Sequence, residues 1–292
     1  MNRPDSLPSA FPPSRIPIFI PSKGRHDCGT TWHALDRMGV TRYRVIVEPQ
    51  EYDLYTKHLP RSKLLKLDMD FKRKYDTCDG IPYDENPRVG SGAARSFGWD
   101  TARREGAPWH WIVDDNIQEF YVYNNNKKYH ARYDTFAAIE RFAGKYENVV
   151  MAGMQYEGFT AQIAKQPPII INTRIFSCNL IRTDAPFKWR GRYNEDVILS
   201  LDMLEAGWCT ILFRTYLCDK MATQKMKGGN TDELYRQGTE AKSRLLKSVY
   251  PGKVELVMRY GRHHHRVDFS RYTQRLIRRP EYRDPSRATP RG

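Results

Sequence analysis

The sequence predicts an α/β fold, a mixed and mostly parallel sheet flanked by helices, and three observations predict it. Short apolar runs rich in β-branched and aromatic residues, at 16–21, 43–47 and 111–113, alternate with helix-like patterns. The first two runs enclose a helix-length segment, 31–38, closed by Gly39. Strand, helix and strand in so short a span form a βαβ unit, which sets its strands parallel. Third, the chain has 292 residues, 40% hydrophobic and 28% charged, which suffices for one large core and excludes general disorder.

Along the chain, residues 1–15 are rich in proline and predict an extended arm. An α/β domain over 16–268 and an arginine-rich tail over 269–292 follow. The first strand opens into Ser22-Lys23-Gly24-Arg25-His26, a small basic loop where Gly24 lets backbone approach a ligand and Arg25 reaches phosphate or stacks on a base. It lacks the glycine pattern of a dinucleotide fold or a P-loop. Glu48, after the second strand, either hydrogen-bonds a ribose or starts the next turn. Residues 66–92 predict a long loop. A helix then starts near Gly90 and runs to Arg104, with Arg95 in its first turn, where free N–H groups favour a diphosphate.

That helix feeds the run Trp111-Ile112-Val113, a buried strand that ends in Asp114-Asp115-Asn116. The crevice outside strand ends is where α/β sheets hold ligands, so these acids stand where a hard cation and a phosphate would sit; the plainer reading is a helix cap or turn. Residues 121–129 alternate and turn like a hairpin with a basic tip. Residues 134–145 put Phe136, Ile139 and Phe142 on one helical face. Strands are predicted at 149–154, 168–172 and 175–182. Lys188, Arg190 and Arg192 form a basic aromatic loop able to present an anionic acceptor to the Glu195-Asp196 pair, which opens a helix ending at Gly207 and also suits the helix dipole. A strand over 209–217 leads to a lysine-rich loop with Lys225 and Lys227, closed by Gly228-Gly229-Asn230 as a phosphate-binding lid would be. A helix over 231–249 and a strand over 253–260 precede His263-His264-His265.

The formal net charge of +14, with pI near 9.5, points to a polyanionic partner, of which nucleic acid is the commonest; a basic surface serving solubility alone is the alternative. From Arg259 onward ten arginines face three acids, a grip for a phosphate backbone. Five scattered cysteines without a Cys-x-x-Cys pair predict a reduced chain with neither disulfide framework nor zinc site. No run approaches the ~18 apolar residues of a membrane span, and the start lacks a signal-peptide core. The expected location is the cytoplasm, with no membrane association and no obligate protein partner.

The strand with an acidic end resembles the metal motif of GT-A glycosyltransferases. Asp114-Asp115-Asn116, followed by Asn194-Glu195-Asp196 and Gly228-Gly229-Asn230, looks like the TET-associated glycosyltransferases of phages, over residues 16–268. The resemblance implies a GT-A-like, Rossmann-type domain that moves a sugar from a UDP-sugar to the hydroxyl of a hydroxymethylated pyrimidine, most simply 5-hydroxymethylcytosine, in double-stranded DNA. It implies Ser22 and Arg25 on the nucleobase, Arg95, Asp114 and Gly228–Asn230 on the donor, and Asp115 with Asp114 on Mn²⁺ or Mg²⁺. His263 or His265 would complete the metal shell, and Asp196, failing that Glu195, would be the base of an inverting transfer. Asn116 departs from the pattern, because many relatives carry an acid there. Three rivals stay open: a glycosyltransferase acting on protein or polysaccharide, a metal-dependent nuclease using the same acids, and a non-catalytic DNA-binding module.

Overall fold

Strands that are apolar on both faces need cover on both, and the first strands here alternate between two apolar clusters. The computed structural model describes residues 11–160, 166–221, 228–229, 234, 240–259 and 261–283. The chain runs β1 (Ile18–Pro21), α1 (Thr30–Met38), β2 (Tyr43–Val47), α2 (Tyr52–Tyr55), β3 (Leu64–Lys66), α3 (Asp70–Arg73), α4 (Gly92–Arg104) and β4 (Trp109–Val113). It continues through β5 (Ile117–Asn124), β6 (Lys127–His130), α5 (Thr135–Ala143), β7 (Val149–Tyr156), β8 (Ile169–Ile171), β9 (Cys178–Arg182) and α6 (Glu195–Glu205). Last come β10 (Cys209–Lys220), α7 (Glu240–Val249), β11 (Val254–Arg259) and β12 (Arg262–Val267).

Ile18 and Ile20 of β1, Val45 and Val47 of β2, and Trp111 and Val113 of β4 join one cluster with α1 and α5. Phe19, Ile46 and Ile112, the residues between them, join the other with Phe97 and Trp99 of α4 and Met203 of α6. The sheet order is β3-β2-β1-β4-β9-β7-β10-β5-β6, with β8 also on β10. β1 to β4 are mutually parallel, and so are β7 and β10; β9 enters antiparallel between β4 and β7, and β5 and β8 flank β10 antiparallel. The predicted mixed, mostly parallel sheet flanked by helices is therefore the observed one.

Two differences matter for the site. β10 runs on past Leu217 to Lys220, because Cys218 and Asp219 keep pairing with β5 beyond the apolar run. The histidines form a strand, β12, antiparallel to β11, which the sequence hides because an arginine- and histidine-rich strand shows no apolar alternation. Leu246 and Val254 pack on Val197, Ile198 and Leu201, so α7 and this hairpin stand beside the start of α6. In α4, a Cβ on Gly98 would lie 3.0–3.1 Å from Ile112, Ile46 and Phe19. Alanine would favour the helix by about 1 kcal/mol, but glycine lets α4 press on the sheet and carry Arg95 to the mouth of β4. Among the described residues no helix is long and apolar enough to cross a membrane.

His110, inside β4, is fully buried with Nδ1 3.0 Å from Thr183 Oγ1 and no partner for Nε2 among the described residues. Burial, and secondarily Arg103, pushes its pKa down to about 3. Only the unfolded chain takes up this proton, so the stability is full above the ordinary histidine pKa and is lost as pH falls through it toward the folded value. We expect about 2 kcal/mol to disappear between pH 7 and pH 5, seen as a falling thermal midpoint, with a flatter slope in His110→Gln.

Candidate active site

The parallel strands deliver their carboxyl ends to one edge of the sheet, and there Ser22, Glu48, Asp114, Tyr156 and Lys220 line a cleft of about 560 Å³. Asp114 follows β4 directly. Its Oδ1 accepts from Arg95 Nη2 (2.6 Å), and its Oδ2 accepts from Lys220 Nζ (2.8 Å) and Ser177 Oγ (2.6 Å). Burial works to raise its pKa, but Lys220 and Arg95 outweigh it and hold the carboxyl well below the usual range. Asp115 is the opposite case. Its Oδ1 accepts from Arg25 and its Oδ2 from Ser22 Oγ (2.8 Å), yet burial dominates and raises its pKa.

Ser22 is itself held by the Tyr55 hydroxyl at 2.8 Å. Glu48 faces the same end of the cleft with Lys72 Nζ at 2.7 Å and Lys23 Nζ at 3.0 Å; burial opposes its charge, and the two lysines more than offset this, so its pKa is lowered. The paired glycines seat the later chain on the first loop. Arg25 Nη2 donates to the Gly228 carbonyl (3.1 Å) and the Gly229 N–H to the Lys23 carbonyl (3.0 Å). With φ +80° at Gly228, a Cβ there would meet the Gly24 oxygen at 2.5 Å, so only glycine allows this approach. Gly229 lines the cleft. Asn230, Lys225 and Lys227 lie outside the described residues.

At the cleft's centre the left-handed Asn194 (φ 55°) launches α6. Glu195 accepts from Ser91 Oγ at 2.5 Å and lies 3.5 Å from Arg95 Nε. Asp196 is half-buried and, among the described residues, takes a hydrogen bond only from the Val197 backbone N–H (2.8 Å). Burial and the neighbouring Glu195 push its pKa up to about 6. Of the five carboxylates lining the cleft, Asp196 alone has neither a cation nor a hydroxyl bonded to it among the described residues.

The arrangement shows where the expected metal ligands lie. All four oxygens of Asp114 and Asp115 already accept from Arg95, Lys220, Ser177, Arg25 or Ser22, and among the described residues no three His, Cys, Asp or Glu side chains gather as metal ligands. These residues do not fit a divalent ion without displacing the three cations Arg95, Lys220 and Arg25. His265 lines the cleft, but its Nδ1 faces Ser243 Oγ (3.4 Å), and burial followed by Lys242 lowers its pKa to about 4. His263 lies 3.8 Å from Glu240 and is not part of the lining.

The structure places the expected DNA contacts Arg190 and Arg192 in ion pairs. Arg190 makes a two-pronged pair with Asp202 (2.8 and 2.6 Å), and the buried Arg192 is bonded to Asp79 and to the carbonyls of Asn86 and Arg88. Their counterions lie within the fold. Lys188 is exposed, away from the cleft lining. The sequence reading missed Lys220, Ser177, Ser91, Lys72 and Arg174. Only Lys220 left a signal, a cation where an apolar strand runs out.

Comparison with known proteins adds three findings. The family described as TET-Associated Glycosyltransferase matches residues 16–229. Among solved structures, the chain is similar to the crystal structure of mannose-1-phosphate geranyltransferase from Thermus thermophilus, at 10% identity and a TM-score of 0.31, over 68% of this chain and 58% of that one. The chain thus spans less than two thirds of that structure's length. No curated protein matches.

Proposed function

The chain belongs to the TET-associated glycosyltransferase family, and from that premise we propose that it transfers a sugar from a UDP-sugar to the hydroxyl of 5-hydroxymethylcytosine in double-stranded DNA. The observation that carries this reading is the carboxylate of Asp196, bonded to neither cation nor hydroxyl among the described residues, in a cleft whose lining holds nine Lys and Arg side chains against five Asp and Glu, a formal surplus of four positive charges. Such a lining suits a diphosphate and a polynucleotide at once.

Asp196 takes the proton of the acceptor hydroxyl, and the oxygen attacks the anomeric carbon. The bond from that carbon to the diphosphate breaks, and its electron pair leaves with UDP, so a single displacement inverts the sugar centre. Lys220 and Arg95, held by Asp114, supply positive charge for the leaving nucleotide. Ser22, Arg25 and Glu48 form the nucleoside end. A base within a duplex must be flipped out to reach Asp196. The reaction belongs in the cytoplasm of the cell where the chain is made.

The test is incubation with a panel of UDP-sugars and duplex DNA with or without 5-hydroxymethylcytosine, followed by mass spectrometry of the intact strands. A hexose-sized gain only on the hydroxymethylated strand is the expected result; UDP release with unchanged DNA would overturn the acceptor assignment. With both acids ion-paired, we expect turnover to persist in EDTA. Loss of activity in EDTA, restored by Mn²⁺, would return a metal to Asp115.

A further inference from the structure

We propose that Arg174 holds a backbone phosphate of the acceptor DNA beside the nucleotide being modified, an inference that rests on the function proposed above. Arg174 lines the cleft between two rings, its guanidinium carbon 5.2 Å from the centre of Phe176 and 5.4 Å from that of Phe269. Among the described residues it makes no hydrogen bond and no ion pair, although Arg25, Arg95 and Arg266 in the same lining are each bonded to a carboxylate. A guanidinium fixed by stacking, with its fork of N–H groups unused, is prepared for two-pronged binding of a phosphate.

Its position selects the acceptor. Burial disfavours its charge, and Asp196, the proposed proton acceptor, offsets part of this. Lys242, His264 and Arg174 also converge on His265, so the cation belongs to a basic wall on Asp196's side of the cleft. Phe176 stacks on Tyr156 (5.5 Å, 19°), and Tyr156 adjoins the exposed Phe159, which continues the wall as an aromatic surface for a displaced base. A phosphate diester next to a flipped nucleotide meets both features.

The experiment measures binding of a short oligonucleotide carrying 5-hydroxymethylcytosine over a range of NaCl, and binding of UDP separately, for wild type, Arg174→Gln and Arg174→Lys. Loss of one phosphate contact reduces the slope of log affinity against log salt by about one. We expect Arg174→Gln to show that reduction with about tenfold weaker DNA binding and unchanged UDP affinity, and Arg174→Lys to recover the slope, which counts charge, but only part of the affinity, because an ammonium lacks the two-pronged fork. Unchanged UDP affinity also certifies that the variants fold. Identical affinity and slope in wild type and Arg174→Gln would overturn the proposal, and so would a loss of UDP affinity instead of DNA affinity. Arg174-dependent DNA binding by a wild-type protein that transfers no sugar to DNA would support the phosphate site and overturn the acceptor reading.

Discussion

Asp196→Asn is expected to lower kcat by about 10²–10⁴-fold while UDP affinity stays within about twofold of wild type. Asparagine keeps the size and the Val197 contact but cannot accept the hydroxyl proton. Glu195 is the poorer base, because Ser91 and Arg95 both hold its Oε1. The pH profile gives a second check. A group raised to about 6 is protonated and inactive below that pH and ionised and active above it, so kcat/KM should climb between about pH 5 and 7 and then level off. Full turnover in Asp196→Asn, or an unchanged inflection in its residual activity, would remove Asp196 from the chemistry.

The second large effect is on stability. Asp114→Asn leaves Lys220 and Arg95 facing each other around a neutral amide, and breaking a buried charge cluster in this way costs about 3–5 kcal/mol. At roughly 2–4 °C per kcal/mol for a protein near this size, the thermal midpoint should fall by about 10 °C. Because the penalty comes from the orphaned cations, adding Lys220→Met to Asp114→Asn should restore part of the loss. A midpoint in Asp114→Asn equal to that of wild type would show that the cluster contributes nothing net.

What the sequence made legible here follows sequence distance. The acidic end of β4, Arg95 in the first turn of α4, and Glu195-Asp196 opening α6 could be read because each lies beside its own apolar pattern. Lys220 and Ser177 reach Asp114 from remote strands, and no local pattern announces a partner so far along the chain. The partners of the loop around Arg190 are hidden for the same reason, since Asp79 lies remote from it in sequence and Asp202 lies on the next helix. Arg174 sits in an unremarkable run, and the Phe269 that stacks on it arrives nearly a hundred positions later.

The two halves of the cleft come from different halves of the chain. Ser22, Arg25, Glu48 and Lys72 at the nucleoside end precede β4, while Asp196, Arg174, Lys242 and His264 at the other end all follow β7. The Asp114 cluster joins them, and Gly228 and Gly229, from the later half, seat on Lys23 and Arg25. On the proposed function, donor choice and acceptor choice can therefore drift separately: replacing the segments that carry Arg174, Lys242 and His264 would redirect the sugar to a new recipient while the enzyme kept its nucleotide, and changes before β4 would swap the currency and leave the recipient alone.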